Sequence, residues 1–340
     1  MERKSRFLHI VGTRPNFIKA WPVIQELDKA GYENRVLHTG QHYDTNMVDD
    51  ILNDIGMPRP NYNIHSGTIT QMIEGIETFV PAYDAVFIYG DVNSSLAGAI
   101  AAHSAKIDVI HVESGLRSGD LKMAEEVNRR VIDLLAKWKF TTEIDGLQNL
   151  QNEGLLGGSK LVGNTAIDTL RKIPKAHAIT DDVKDQYALL TLHRPFNVDS
   201  CPNLTEILLA VDNLGMKFVF PVHPRTEQNI LGHYNNIKFI QPLGYKDFMY
   251  LLTDSQFIIS DSGGVQCEAA ALNKPLFILR PSTEHKSVIL HNKAKLIEPG
   301  GINESMYKWI QIEYNHEPVT SLWDGKASVR LVDEIKRTYE

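Results

Sequence analysis

Cysteine is almost missing from this chain of 340 residues. Cys201 and Cys267 are its only two, and nothing about their placement resembles metal-ligand spacing. A disulfide-stapled secreted fold and a cysteine metal centre are therefore excluded, and a reduced, cytoplasmic protein is expected. Long apolar runs are missing too: none reaches the roughly 18 residues that a membrane span requires, so no membrane partner is expected. Charge in Met1-Glu-Arg-Lys-Ser-Arg-Phe7 precedes an apolar stretch that stops at Gly12 without a small-residue cleavage site, which excludes a secretion signal. Basic residues are not in excess. A net charge of −7 and a pI near 6.0 argue against a nucleic-acid partner and imply that positive charge is used locally. The phosphate-binding pattern G-x-G-x-x-G does not occur, and there is no solenoid repeat or low-complexity tract.

What is present is enough apolar material for two cores. The chain exceeds the size at which one core stops growing, and 43% of it is hydrophobic. Short β-branched runs alternate with segments of helical periodicity throughout. Strands are predicted at Phe7–Val11, Arg35–Thr39, Val86–Tyr89, Asp108–Val112, Phe140–Thr142 and Lys160–Val162, with a helix from Ala124 to about Trp138. After a linker at Asp168–Tyr187 the alternation resumes, with strands at Ala188–Leu192, Phe218–Val222, Ile237–Ile240, Phe257–Ser260 and Leu276–Leu279. Alternation of this kind predicts an α/β fold of two Rossmann-like, doubly wound parallel sheets. The expected domains are 1–167 and 168–323, with a helix over about 324–340 returning to the first domain on Val329, Leu331, Val332 and Ile335.

Every predicted strand ends in polar or charged residues, and ligands of open α/β sheets bind at those carboxyl ends. The two domains are accordingly expected to face one another across a cleft. Charge is densest at Ile110–Arg130, where Glu113 closes an apolar strand. Glu125, Asn128 and Arg129 share one helix face at i, i+3 and i+4. Glu126 and Arg130 form a second pair, read as a solvated helix start. Asp261-Ser-Gly-Gly264 between a strand and a helix suits a diphosphate, because the helix start offers unpaired N–H groups. Glu268, one turn on, is placed to accept from ribose hydroxyls. Arg14 and Lys19 follow Gly12 at a second helix start, and His193 ends a strand of the second half, placed as a cation or proton donor for a leaving diphosphate.

With these motifs together, the chain resembles the non-hydrolysing UDP-N-acetylglucosamine 2-epimerases, which have a glycosyltransferase-B-like architecture. The resemblance rests on G-T-R-P-N-F-I-K (Gly12 to Lys19), T-G-Q-H-Y-D (Thr39 to Asp44), Y-G-D (Tyr89 to Asp91) and H-V-E-S-G-L-R-S (His111 to Ser118). It continues in E-E-V-N-R (Glu125 to Arg129), G-N-T (Gly163 to Thr165), H-R-P-x-N-V-D (His193 to Asp199) and D-S-G-G-V-Q-x-E (Asp261 to Glu268). It implies that Asp91, Glu113, Glu125 and His193 are catalytic. It also implies that Arg14, Lys19, Ser262, Gly263, Gly264 and Glu268 help hold UDP, and its motifs nominate Gln41, Arg117, Arg129, Asn164 and Arg194 for substrate binding. The chain departs from the pattern at Phe196, where many members have an acid, and at Ala124, where they have proline. It departs again at Thr283-Glu-His-Lys-Ser287, where they have T-E-R-P-E.

The implied reaction inverts C2 of UDP-N-acetylglucosamine. That proton is not next to a carbonyl, so the family route eliminates UDP to a 2-acetamidoglucal and adds it back after protonation on the other face. A carboxylate base, a second acid and donors that retain UDP suffice, with no cofactor and no metal. A homodimer is expected. Hydrolysis to free sugar, action on a modified UDP-amino sugar, a glycosyltransferase of the same architecture and a sensor that merely binds UDP-sugar stay open as alternatives.

Overall fold

The computed structural model describes residues 4–41, 45–173 and 186–339. His42 to Asp44 of the T-G-Q-H-Y-D motif, His177 and most of the predicted linker lie outside them. The chain divides into two compact units: residues up to Ile173 with those from Thr320 onward form the first, and the second ends at Val319.

The first unit is a seven-stranded parallel sheet of β1 (Arg6–Val11), β2 (Glu33–His38), β3 (Tyr62–Asn63), β4 (Ala85–Tyr89), β5 (Asp108–Ser114), β6 (Trp138–Thr141) and β7 (Ser159–Leu161). Its order is β3-β2-β1-β4-β5-β6-β7. In the second unit β8 (Ala188–Thr191), β9 (Phe218–Pro221), β10 (Ile237–Ile240), β11 (Ile258–Ser260), β12 (Leu276–Ile278) and β13 (Ala294–Leu296) follow the order β10-β9-β8-β11-β12-β13. A strand covered on both faces reads as a continuous apolar run, and Ala-Val-Phe-Ile-Tyr of β4 is buried at every position. In each sheet the order of strand addition reverses once, between β1 and β4 and between β8 and β11, and these are the switch points where such sheets bind ligands.

Three local expectations change, and one short edge strand is added. Asn61 to Gly67 lacks sequence periodicity, yet Tyr62–Asn63 adds an edge strand because the Asn61 side chain accepts from Val36 N at 2.8 Å. The helix from Ala124 ends at Leu135 rather than Trp138, since Lys137 N already donates to Val109 O at 3.0 Å and begins the pairing of β6. Asp168 is no linker residue. It is buried in the helix Thr165–Lys172, where it accepts from Ala327 N at 3.0 Å and from Ser328 N at 2.7 Å. Those two residues open the final helix, Ala327–Tyr339, which packs on Arg14–Lys29 and Thr165–Lys172 through Leu331, Val332 and Ile335, while Val329 is 40% exposed. Among the described residues no helix is long and apolar enough to cross a membrane.

Candidate active site

In the first unit the switch point is built on Gly12. A Cβ there would stand 1.9 Å from Ser94 Oγ and 2.8 Å from Thr39 Oγ1, so only glycine lets the end of β1 approach the helix Asn93–Ser104. The Asn16 side chain then ties two strand ends together, those of β1 and β4. Its Oδ1 accepts from Gly12 N at 3.0 Å and Thr13 N at 2.9 Å, and its Nδ2 donates to Tyr89 O, at the end of β4, at 2.8 Å. Arg14, at the first helical position, is exposed. Lys19 lies further along the same helix, and Nζ reaches Glu113 Oε1 at 2.6 Å, with the two side chains only 15% and 10% exposed.

Glu113 itself is held in an uncommon backbone conformation. Its φ is +73°, where a non-glycine residue is strained, and the pairing of β5 with β6 slips between Val112 and Ser114. Such strain collects at functional sites because the surroundings must enforce it. A Cβ on Gly90 would lie 3.1 Å from Lys19 Nζ and 3.6 Å from Glu113 Oε1, which brings the Gly90–Asp91 turn against this ion pair. Asp91 is fixed in turn by Arg129, whose Nε donates at 3.0 Å and whose second nitrogen approaches to 2.5 Å, and by Asn128, which donates to Asp91 O at 2.8 Å. Glu125 stands one turn earlier on the same helix face, half-buried.

Glu126 corrects the solvated reading of this helix start. Its pair with Arg130 exists at 3.1 Å, but Glu126 is wholly buried and also accepts from Ser118 N at 2.8 Å and Arg129 at 3.0 Å. Burial opposes its charge, yet these donors outweigh that and hold its carboxyl below the usual range. Three nominated residues are engaged in the scaffold. The Arg117 guanidinium, 4% exposed, spans Glu153 at 2.7 Å and Asp133 at 2.8 Å. Gln41 accepts from Ser94 N at 3.1 Å, and Asn164 caps the helix Thr165–Lys172 by accepting from Ala166 N at 2.9 Å.

The second unit is organised around Asp261, fully buried at the end of β11. It accepts from His193 N at 3.0 Å, Arg194 N at 3.0 Å and Asn197 Nδ2 at 2.9 Å. Burial raises its carboxyl, but His193, Asn197 and the Arg194 N–H together depress it below the usual value. His193 Nδ1 stands 2.9 Å from Asp261 Oδ1, so Nδ1 carries the proton and Nε2 is the ring nitrogen left for a ligand, on a side chain that is 51% exposed. Ser262 stands at the N-cap position of the helix Gly263–Ala271, and space beside Gly264 is open for 4 Å. Glu268 accepts from Tyr245 at 2.8 Å. The divergent run Thr283 to Ser287 is folded against this helix: Thr283 donates to Gln266 at 2.5 Å, and Glu284, paired with Arg280 at 3.0 Å, occupies the place of a side chain on Gly263.

Residues 25–336 match the family model described as UDP-N-acetylglucosamine 2-epimerase. The chain belongs to the UDP-N-acetylglucosamine 2-epimerase family. A UDP-N-acetylglucosamine 2-epimerase homolog of Methanococcus maripaludis is 35% identical, with 97% of this chain and 99% of that protein covered. The UDP-2,3-diacetamido-2,3-dideoxy-D-glucuronate 2-epimerase of Pseudomonas aeruginosa is also 35% identical, over 82% of this chain and 84% of that one. Among solved structures, the UDP-GlcNAc 2-epimerase of Methanocaldococcus jannaschii in complex with UDP-GlcNAc and UDP is 33% identical. It superposes with a TM-score of 0.85, covering 98% and 99% of the two chains.

For this 2-epimerase family member the structure gathers Lys19, Asp91, Glu113 and Arg129 at one switch point, and His193, Arg194 and Ser262 at the other. Sequence reasoning passed over Asn16, Asn128 as a clamp on Asp91, and Tyr245. Asn128 was visible only as a shared helix face, and Tyr245 gave no signal at all.

Proposed function

We propose that this epimerase interconverts UDP-N-acetylglucosamine and UDP-N-acetylmannosamine without net hydrolysis. One observation carries the reading: Glu113 is strained, paired with Lys19 and set against Gly90–Asp91 at the sheet's switch point. Glu113 takes the C2 proton while the C1–O bond breaks and its electron pair leaves with UDP, giving the 2-acetamidoglucal. Asp91 or Glu125 then protonates C2 from the other face, and the UDP oxygen re-forms the bond to C1. The Ser262–Gly264 helix start and Arg14 hold the diphosphate through N–H groups and positive charge, Glu268 accepts from ribose, and His193 Nε2 serves the leaving oxygen. Arg194 and Gln41 would line the bound substrate. A cytoplasmic homodimer working without cofactor or metal belongs to the same reading.

The test is turnover in deuterium oxide, followed by NMR at C2. Deuterium at C2 in both epimers, with the sugar still attached to UDP, supports the reading; free sugar plus UDP would identify a hydrolysing enzyme, and unlabelled product would remove elimination. Running UDP-2,3-diacetamido-2,3-dideoxy-D-glucuronate in parallel decides between the two substrate classes of the relatives.

A further inference from the structure

The Gly90–Asp91 turn is tethered a second time, from below. His111 is completely buried in β5, with Nδ1 2.6 Å from Asp133 Oδ1 and Nε2 3.0 Å from Gly90 O. Both partners are oxygens that only accept, so both ring nitrogens must donate, and the ring is an imidazolium. Asp133 is organised for this partner. It also accepts from Ser114 Oγ at 2.5 Å and Gly115 N at 3.1 Å, and Arg117 stands 2.8 Å from its other oxygen. A buried charge pair of this kind is a costly way to gain stability, because desolvation offsets most of the attraction. Its geometry accounts for it better: the charge-assisted bond fixes the carbonyl immediately before Asp91, while Arg129 fixes the carboxylate.

We infer that His111 is a positioning residue for the epimerisation, holding the Gly90 carbonyl so that the Asp91 carboxylate meets the sugar in a single orientation. The inference rests on the proposed role of Asp91. The amide nitrogen of glutamine falls where Nε2 of histidine lies and that of asparagine where Nδ1 lies, so two variants separate the tethers. His111→Gln keeps a donor to Gly90 O and loses the one to Asp133. His111→Asn does the reverse.

Both variants of the full chain lose the ion pair, so both should melt earlier by a similar amount. Misplacement of a reacting group by about 1 Å costs on the order of 10²-fold in rate. We expect kcat to fall by roughly that factor in His111→Asn and by less than about tenfold in His111→Gln, with KM for UDP-N-acetylglucosamine unchanged in both. Deuterium incorporation at C2 should fall in parallel with kcat. Equal kcat in the two variants, or a loss that follows melting temperature instead of the Gly90 donor, overturns the positioning role while leaving the chemistry of the wild type intact. Wild-type turnover without deuterium at C2 is a different failure: it removes proton transfer at Asp91 and overturns both.

Discussion

Lys19 Nζ lies 2.6 Å from Glu113 Oε1, although the two residues belong to different βα units, and Glu113 holds φ at +73°. A strained carboxylate clamped by an ammonium is pre-organised, so little reorganisation is left for the reaction itself.

Glu113→Gln keeps the shape of the side chain and its contact with Lys19 but cannot accept a proton as a base. We expect kcat to fall by about 10²–10⁴, the usual contribution of a positioned base, with the dissociation constant for UDP within a factor of about two of wild type. Steady-state kinetics beside calorimetric UDP titration check this. A kcat within about threefold of wild type would move the base elsewhere.

Arg14 begins the helix Arg14–Lys29 and is exposed, so its guanidinium is available to an anion. Arg14→Ala should weaken UDP binding by about 1–3 kcal/mol, the scale of a lost charge-assisted hydrogen bond, and the loss should shrink as salt rises. Unchanged affinity at low salt would take Arg14 out of the nucleotide site.

Gly12→Ala sets a methyl group 2.5 Å from Ser94 Cβ and 2.8 Å from Thr39 Oγ1, too close without movement of β1 or the facing helix. Overpacking of this kind costs about 1–3 kcal/mol, visible as an earlier urea midpoint. Activity should fall further than stability alone explains, because Asn16 bonds both Gly12 N and Tyr89 O. A variant of wild-type stability and rate would show that the strand end can yield.

Asp133 provides a prediction about acid. Burial opposes its charge, but His111, Arg117 and Ser114 outweigh it and hold the carboxyl down to about 2, against 3.8 ordinarily. A depressed acid contributes stability that is complete above the unfolded value and lost as pH falls through the folded one. The contribution should therefore disappear between about pH 4 and pH 2 and amount to about 2 kcal/mol. Asp133→Asn should be less stable at neutral pH and should lose less than wild type on acidification across that window, measured by urea unfolding. Parallel pH profiles would show that the pair carries no linked proton.

Much of the fold is legible in the sequence. Runs such as Ala-Val-Phe-Ile-Tyr mark buried parallel strands, polar residues mark their carboxyl ends, and i, i+3, i+4 spacing placed Glu125, Asn128 and Arg129 on one face. These are short-range facts, fixed by the pleat and the helical turn within a few residues. The roles that shifted depend on partners distant in the chain: Arg117 meets Glu153, 36 residues on, and Asp168 caps the helix that begins at Ala327, 159 residues on.

By itself, then, the sequence determined two βα-alternating halves, the strand ends where charge collects and the residues with chemistry to offer. Tertiary structure alone decided which of those charges face one another. Glu113 turns to positive φ only because β5 slips against β6, and Asp261 orients His193 only because β11 lies beside β8. Strand order and register set those distances, and no local spacing encodes them, because the pairing energy comes from burying whole sheets rather than from the residues that end up in the site.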